Sequence, residues 1–391
     1  MERGYLDHAA TTPVAPAVLE AMLPYFGQIY GNPGSAHSWG GEARRAVEEA
    51  RGSIAAFLGA AINEIVFTSG GTESNNTVIK GIAESNKARG NHIITSAIEH
   101  HAILNPCHTL ERKGFEVTYI PVNNDWLVSP KDVEAAITAK TILISIMHAN
   151  NEIGVIEPLA KIGAIARQHG IPFHTDAVQT FGHIPVNVAD IEVDLLSASA
   201  HKLYGPKGVG LLYIHQGIKI SPLLEGGEQE AKRRSSTLNV SGIIGFAKAT
   251  ELAADTMKTE PERISALRDK LIDGLLGKIK DTHLNGTRSS RLPNNINISF
   301  GGVEGEALLL SLDAQGIACS TGSACTSAKL ETSHVLKALA IPHHLGNSSL
   351  RFSLGKATND KDIERVLAVL PGVVDRLRTI SPFYQPAERE D

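Results

Sequence analysis

From Glu42 to about Lys248 the chain alternates short β-branched apolar runs with longer amphipathic stretches. Several runs, 141–147 and 209–214 among them, are apolar at nearly every position and lack the in–out alternation of a half-solvated strand. That pattern suits strands covered on both faces. It predicts strands over residues 64–68, 92–95, 116–120, 141–147, 171–174, 193–197 and 209–214. Helical spacing between them predicts helices over 76–89, 102–113, 130–136 and 159–169. Gly114 and Gly170 each stand just past a helical stretch, where a left-handed C-cap is expected. Strand–helix alternation of this kind predicts an α/β fold with a mostly parallel seven-stranded sheet.

After about Glu260 the rhythm changes. The pattern predicts helices over 261–279 and 304–314, strands over 294–300 and 350–353, and a final helical stretch over 360–377. Pro371 is expected to break or kink that last helix, because proline lacks the N–H that the helix needs. Longer helices and fewer strands suggest a smaller α+β domain. A single core stops growing beyond about 250–300 residues, and the chain has 391. The expected division is a large domain over 15–259 and a small one built from 1–14 and 260–391.

Composition narrows the function classes. Hydrophobic residues at 42% and charged residues at 20% exclude a disordered or fibrous chain. Lys and Arg total 37 against 42 Asp and Glu, a formal charge of −5, so there is no basic surplus with which to bind nucleic acid. No run approaches the roughly 18 apolar residues of a membrane span, and the opening residues carry no apolar leader. Three cysteines, Cys107, Cys319 and Cys325, read as reduced thiols rather than a disulfide framework. The expectation is a soluble cytoplasmic enzyme.

Four segments could carry chemistry. Gly70-Gly71-Thr72-Glu73-Ser74-Asn75 follows a strand and opens a helix, where free N–H groups and the helix dipole favour a phosphate. It matches neither common nucleotide fingerprint, and an ordinary turn capped by Thr72 is the alternative. His174-Thr175-Asp176-Ala177-Val178-Gln179 puts an acid at the end of a strand, where open α/β sheets bind ligands. One strand later, Ser197-Ala198-Ser199-Ala200-His201-Lys202 ends on a lysine that burial would make nucleophilic. Asp176 and Lys202 together form the pair that pyridoxal 5'-phosphate (PLP) requires, a carboxylate for the pyridine nitrogen and an amine for the aldehyde. Finally, Ser320-Thr321-Gly322-Ser323-Ala324-Cys325-Thr326-Ser327 surrounds one thiol with small polar residues and predicts a mobile loop presenting Cys325. Cys107 and Cys319 read as buried. The pairs His100-His101 and His343-His344 lack metal-ligand spacing, so no metal is expected. Taken singly, His100, Asn151 and Arg351 read as structural or surface residues; their company changes that.

Together these motifs closely resemble the cysteine desulfurases of the NifS/IscS type, in the aminotransferase class V group of fold-type I PLP enzymes. The resemblance runs from Tyr5-Leu6-Asp7-His8-Ala9-Ala10-Thr11-Thr12 to Leu350-Arg351-Phe352-Ser353-Leu354-Gly355. It includes Gly31-Asn32-Pro33-Gly34-Ser35, His148-Ala149-Asn150-Asn151-Glu152-Ile153-Gly154 and Arg291-Leu292-Pro293-Asn294-Asn295, and is most specific at Gly-Ser-Ala-Cys-Thr-Ser. It implies an aspartate-aminotransferase-like large domain and PLP held by Lys202, Asp176, Gln179 and His100, with Asn151 beside them. Gly71, Thr72, Ser199 and His201 would hold the phosphate, and Thr237 would reach it across the interface of a homodimer. Asn151 and Arg351 would take the substrate carboxylate. Catalysis would rest on Lys202, His100 and Cys325, whose thiolate would take the sulfur of L-cysteine, leaving alanine and a persulfide destined for an iron–sulfur cluster scaffold or another thiol acceptor. Two positions depart from the family pattern: Ser236 replaces a Gly, and Asn347 stands where members usually carry His. The competing readings are a selenocysteine lyase or small-substrate transaminase, and a non-enzymatic scaffold with a decayed site.

Overall fold

The computed structural model describes residues 3–321, 332–382 and 384. A two-residue strand, β1 (Gly4–Tyr5), opens the described chain. The central sheet follows as β2 (Ile65–Thr68), β3 (His92–Ser96), β4 (Glu116–Ile120), β5 (Thr141–Ser145), β6 (Phe173–Asp176), β7 (Leu195–Ser199) and β8 (Gly210–Ile214). Its spatial order is β2-β8-β7-β6-β5-β3-β4, and only β8 runs antiparallel to its neighbours. Every residue of β2, β3, β5, β6, β7 and β8 is buried, as the unbroken apolar runs require; the edge strand β4 alone is partly exposed.

The other edge, β2, is closed by side chains. Arg51 Nη1 donates to Ile65 O at 2.9 Å, and Glu230 accepts from Phe67 N at 2.7 Å. The two side chains also pair with each other at 2.7 and 2.8 Å. A buried ion pair thereby satisfies the backbone groups that an edge strand leaves open. In the middle of the sheet, His174 reaches Ser145 Oγ on β5 at 2.9 Å and Ser197 Oγ on β7 at 3.0 Å, tying three strands together.

Two long helices escape the pattern analysis, besides several short ones. Ser38–Leu58 and Val240–Thr256 pack on each other, but their buried sides are lined by Gly40, Ala43, Ala50, Gly242, Gly245 and Ala249, which mute the apolar period. The helix after β2 begins at Gly71, five residues before the predicted start. Its polar first turn buries Ser74 and Asn75 toward the strand ends rather than toward an apolar core. Gly114 (φ +88°) and Gly170 (φ +60°) have the left-handed backbone expected of them.

The second half adds β9 (Thr282–Leu284), β10 (Asn295–Phe300), β11 (Ile317–Ala318), β12 (Ser320–Thr321) and β13 (Ser349–Ser353). They form a four-stranded antiparallel sheet, β12-β13-β10-β9, while β11 pairs with β1. Leu6 joins Ile264, Leu271, Ile298, Phe352 and Ile363 in one apolar cluster; Val18, Ile54, Phe67, Phe173 and Phe246 belong to another. The last helix, Asp360–Ile380, runs unbroken through Pro371, correcting the expected break. The reason is a tertiary contact. Leu367 O, the carbonyl that residue 371 would have bonded, accepts from Lys278 Nζ at 3.2 Å. No helix among the described residues is long and apolar enough to cross a membrane.

Candidate active site

The C-terminal ends of β6 and β7 carry the two residues singled out from the sequence. Asp176 closes β6, buried, with Oδ2 accepting from Asn75 Nδ2 at 2.6 Å and Oδ1 from Val178 N at 2.9 Å. Asn75 Oδ1 is buried without a hydrogen bond. Lys202 ends the short 3-10 turn Ala200–Lys202 after β7. Its Nζ donates to Ala9 O at 2.5 Å and Ala10 O at 2.8 Å, and Gln179 Nε2 donates to the same Ala9 O at 3.1 Å. Residues 7–12 thus cross the strand ends and gather Lys202 and Gln179 around one carbonyl.

His100 caps the helix His101–Glu111, its Nδ1 accepting from Ala102 N at 3.0 Å. That bond leaves the hydrogen of the neutral ring on Nε2. Burial lowers the His100 pKa; Asp176 opposes the shift, while His101 and Lys202 add to it. His100 therefore lies within electrostatic reach of both strand-end residues.

The turn into the helix Gly71–Ser85 is built for close approach. Gly70 has φ +153°, and a Cβ on Gly71 would fall 2.5 Å from Val178 Cγ2. Ser199 Oγ lies 3.7 Å from where a Gly70 Cβ would stand, so Gly70, Gly71 and Ser199 share one corner. Ser74 N bonds Gly70 O, and the N–H groups before it lack intrahelical acceptors, the arrangement that favours an anion. Thr72 does not cap this helix; Gly70 holds the cap position and Thr72 is exposed. His201 Nδ1 lies 3.2 Å from Thr11 Oγ1. Burial, then Lys202 and Lys207, pushes its pKa down to about 4, so it stands as a neutral imidazole.

Arg351, on β13, donates to Asn151 O at 3.1 Å and pairs with Asp7 Oδ1 at 2.9 Å, while its Nε is buried without a hydrogen bond. Asn151 and Arg351 do meet. One arm of the guanidinium, however, already holds a resident carboxylate that sequence reasoning did not single out. Thr237 is exposed and follows Ser236, whose φ of +118° is one that glycine would adopt without strain. Upstream, Arg234 pairs with Glu73 at 2.8 and 3.1 Å, tying this segment to the first turn of its own helix Gly71–Ser85. Cys325 lies outside the described residues. Cys107 and Cys319 are buried, and burial pushes both thiols up to about 12. Among the described residues, no group of three or more His, Cys, Asp or Glu side chains is arranged to hold a metal ion.

Asn75 and Asp7 are the functional neighbours that sequence reasoning missed. Both lie inside quoted motifs, yet nothing in the spacing says that Asn75 faces Asp176, 101 residues on, or that Asp7 faces Arg351, 344 residues on.

Comparison with known proteins agrees with this geometry. The aminotransferase class-V family matches residues 4–366. The cysteine desulfurase IscS of Dictyoglomus turgidum is 56% identical over 381 residues, covering 97% of each chain. That of Methanosarcina thermophila is 54% identical over 379 residues, covering 97% of this chain and 94% of its own. Among solved structures, a NifS-like protein superposes with a TM-score of 0.90 at 38% identity, over 96% of this chain and 100% of that one. A structure described as SspA in complex with cysteine gives 0.80 at 37% identity, over 90% and 98%. The chain belongs to the class V aminotransferases, the fold-type I PLP enzymes. Within that family its relatives are cysteine desulfurases, and its activity is of that type.

The residues present fit PLP. A buried carboxylate and an amine stand at adjacent strand ends, and the glycine turn beside Ser199 carries free helix N–H groups suited to a phosphate.

Proposed function

We propose that the chain removes sulfur from L-cysteine with PLP held at the β6–β7 strand ends, passes it to Cys325, and releases L-alanine. The observation that carries this reading is the placement of Asp176 and Lys202 at adjacent strand ends, with Lys202 and Gln179 sharing the Ala9 carbonyl. When bound, PLP supplies an electron sink for the charge developing at the substrate Cα. The rest is work for the chain. Lys202 would hold the cofactor aldehyde and Asp176 would keep the ring nitrogen protonated, with Asn75 orienting Asp176. Gly71, Thr72, Ser199 and neutral His201 take the phosphate. Asn151 and Arg351 would take the substrate carboxylate, and His100, with its hydrogen on Nε2, would exchange protons with the substrate.

The Cys325 thiolate attacks the substrate sulfur. An S–S bond forms, the Cβ–S bond breaks with its electron pair left on the carbon side, and protonation of that carbon gives alanine. Cys325 is favoured because burial holds the other two thiols protonated at neutral pH. The persulfide passes to an iron–sulfur scaffold or another thiol acceptor in the cytoplasm.

The working unit is a homodimer. Leu19, Leu23, Phe26, Tyr30 and Trp39 are all exposed within twenty-one residues of chain, a patch suited to a second copy. The exposed Thr237 segment lies where it can be offered to that copy. The clusters around Phe173 and around Phe352 support a large domain over 15–259 and a small one from 1–14 and 260–391, with a further cluster of Ile98, Met147, Val335 and Leu336 drawn from both.

The test is incubation of the purified protein with L-cysteine, measuring alanine and sulfide with and without reductant. Lys202→Ala should abolish both the visible cofactor absorbance and turnover, and Cys325→Ser should bind L-cysteine but yield no alanine. Full turnover by Cys325→Ser would refute the persulfide route, and a fully active monomer in light scattering would refute the dimer.

A further inference from the structure

The guanidinium of Arg351 already carries a carboxylate of the chain's own. Its Nη2 pairs with Asp7 Oδ1 at 2.9 Å, its Nη1 donates to Asn151 O at 3.1 Å, and its Nε is buried without a hydrogen bond. The two side chains are little exposed, 5% for Arg351 and 17% for Asp7. Dissolved salt therefore screens the pair weakly.

The backbone sets this pairing up. Asp7 forms a parallel β-bridge with Ser353, which follows Arg351 by two residues on β13 and so shares its face of the strand. The residues around Asp7 are tied to Ser353 as well. Ser353 N donates to Leu6 O at 2.8 Å, His8 N to Ser353 O at 3.2 Å, and Ala9 N to Ser353 Oγ at 2.8 Å. Tyr5 Oη reaches both Asp7 O and Thr11 O at 3.1 Å and closes the turn. None of these bonds uses the Asp7 side chain. The fold itself, rather than the attraction of the charges, puts the carboxylate beside Arg351.

We propose that Asp7 is a specificity-determining residue that competes with the substrate carboxylate for Arg351 and so sets the affinity of the site for α-amino acids. This rests on the reading of Arg351 as the group that takes the substrate carboxylate. A two-pronged carboxylate contact needs two N–H groups of one guanidinium. With Asp7 on Nη2 and Asn151 O on Nη1, an incoming carboxylate either displaces Asp7 or binds beside it against like charge. Both routes weaken binding and leave the chemistry at Cα untouched. L-alanine carries the same carboxylate and amine as L-cysteine, so the resident acid loosens product as well as substrate. Tighter binding of both would add nothing to kcat.

The experiment compares the wild-type holoenzyme with Asp7→Asn and Asp7→Ala, reading KM for L-cysteine from alanine formation and Kd for L-alanine by calorimetry. Asp7→Asn keeps an oxygen for Nη2 and removes the charge. Both constants should fall about ten-fold, as expected for loss of one charge-assisted hydrogen bond between partly buried groups. Asp7→Ala should shift them in the same direction, because Asn151 O still orients the guanidinium, and it serves should Asp7→Asn not fold. Cysteamine, which matches L-cysteine but lacks the carboxylate, should bind wild type and variants within about two-fold of one another. Constants that stay the same or rise would make Asp7 a mere support for Arg351 and overturn the inference. Cysteamine binding that tightens as much as L-alanine binding would place the effect outside the carboxylate contact and overturn it too. Arg351→Ala is measured in parallel: if it leaves Kd for L-alanine unchanged, the reading of Arg351 fails, and the inference falls with it for that separate reason.

Discussion

Removing the Glu230 carboxylate should destabilise the protein through the free edge of its central sheet. The Glu230 side chain is 1% exposed, and it accepts from both arms of Arg51 and from Phe67 N. In Glu230→Ala, Arg51 keeps its bond to Ile65 O and a looser contact with the half-exposed Glu48 at 3.3 Å, so its charge is not wholly stranded. Breaking one side of a buried pair costs about 3–5 kcal/mol, and the retained contacts put this case near 3. Phe67 N is left without an acceptor, which belongs within that figure. Urea unfolding read by circular dichroism should therefore show a loss of about 2–4 kcal/mol at unchanged slope. Amide exchange should show Phe67 N losing protection, three residues before the Gly70–Gly71 turn. The double variant Arg51→Met with Glu230→Met should be more stable than Glu230→Ala, since no charge is left behind. A loss below about 1 kcal/mol, or a double variant worse than the single, would refute the reasoning.

Three further outcomes follow from the same geometry. Asp176→Asn should lose at least about 100-fold in turnover, as for removal of a key electrostatic group, yet keep its stability, because Asn75 can turn its unsatisfied Oδ1 toward the new amide; unfolding and activity measured together would expose a merely structural role if both fell. Arg351→Lys should raise KM for L-cysteine while retaining cofactor absorbance, since an ammonium cannot keep Asp7 and also offer a fork; loss of cofactor instead would assign Arg351 to the phosphate end. Burial pushes the Glu157 carboxyl up to about 8. The folded state then binds more protons there than the unfolded state, so its contribution to stability is complete below about pH 4.5 and declines as pH rises toward 8. Glu157→Gln should gain on the wild type by about 1 kcal/mol per pH unit across that window, and a pH-independent difference between the two unfolding curves would contradict the shift.

The sequence by itself determined the seven strands of the central sheet, β10 and β13, and singled out Asp176 and Lys202 as candidates. Strands buried on both faces cannot hide their composition, and an acid and a lysine closing successive strands come to neighbouring strand ends where those strands pair, as β6 and β7 do. Cys107 and Cys319 were read as buried and are buried, although Cys107 is flanked by Pro106 and His108 and Cys319 by Ala318 and Ser320. Helices Ser38–Leu58 and Val240–Thr256 were not legible, because close helix packing selects glycine and alanine on the buried side and erases the period that pattern reading depends on. Tertiary structure alone decided the contacts between segments remote in sequence. Pro371 does not break its helix because Lys278, 89 residues from Leu367, satisfies the orphaned carbonyl. The edge strand β2 is closed by Arg51 and Glu230, 179 residues apart, and Asp176 is oriented by Asn75. Local pattern reports which faces must be buried, because burial is a property each side chain carries with it. It says nothing of which polar group meets which, because that is settled only when the folded chain brings donors and acceptors within about 3 Å of one another.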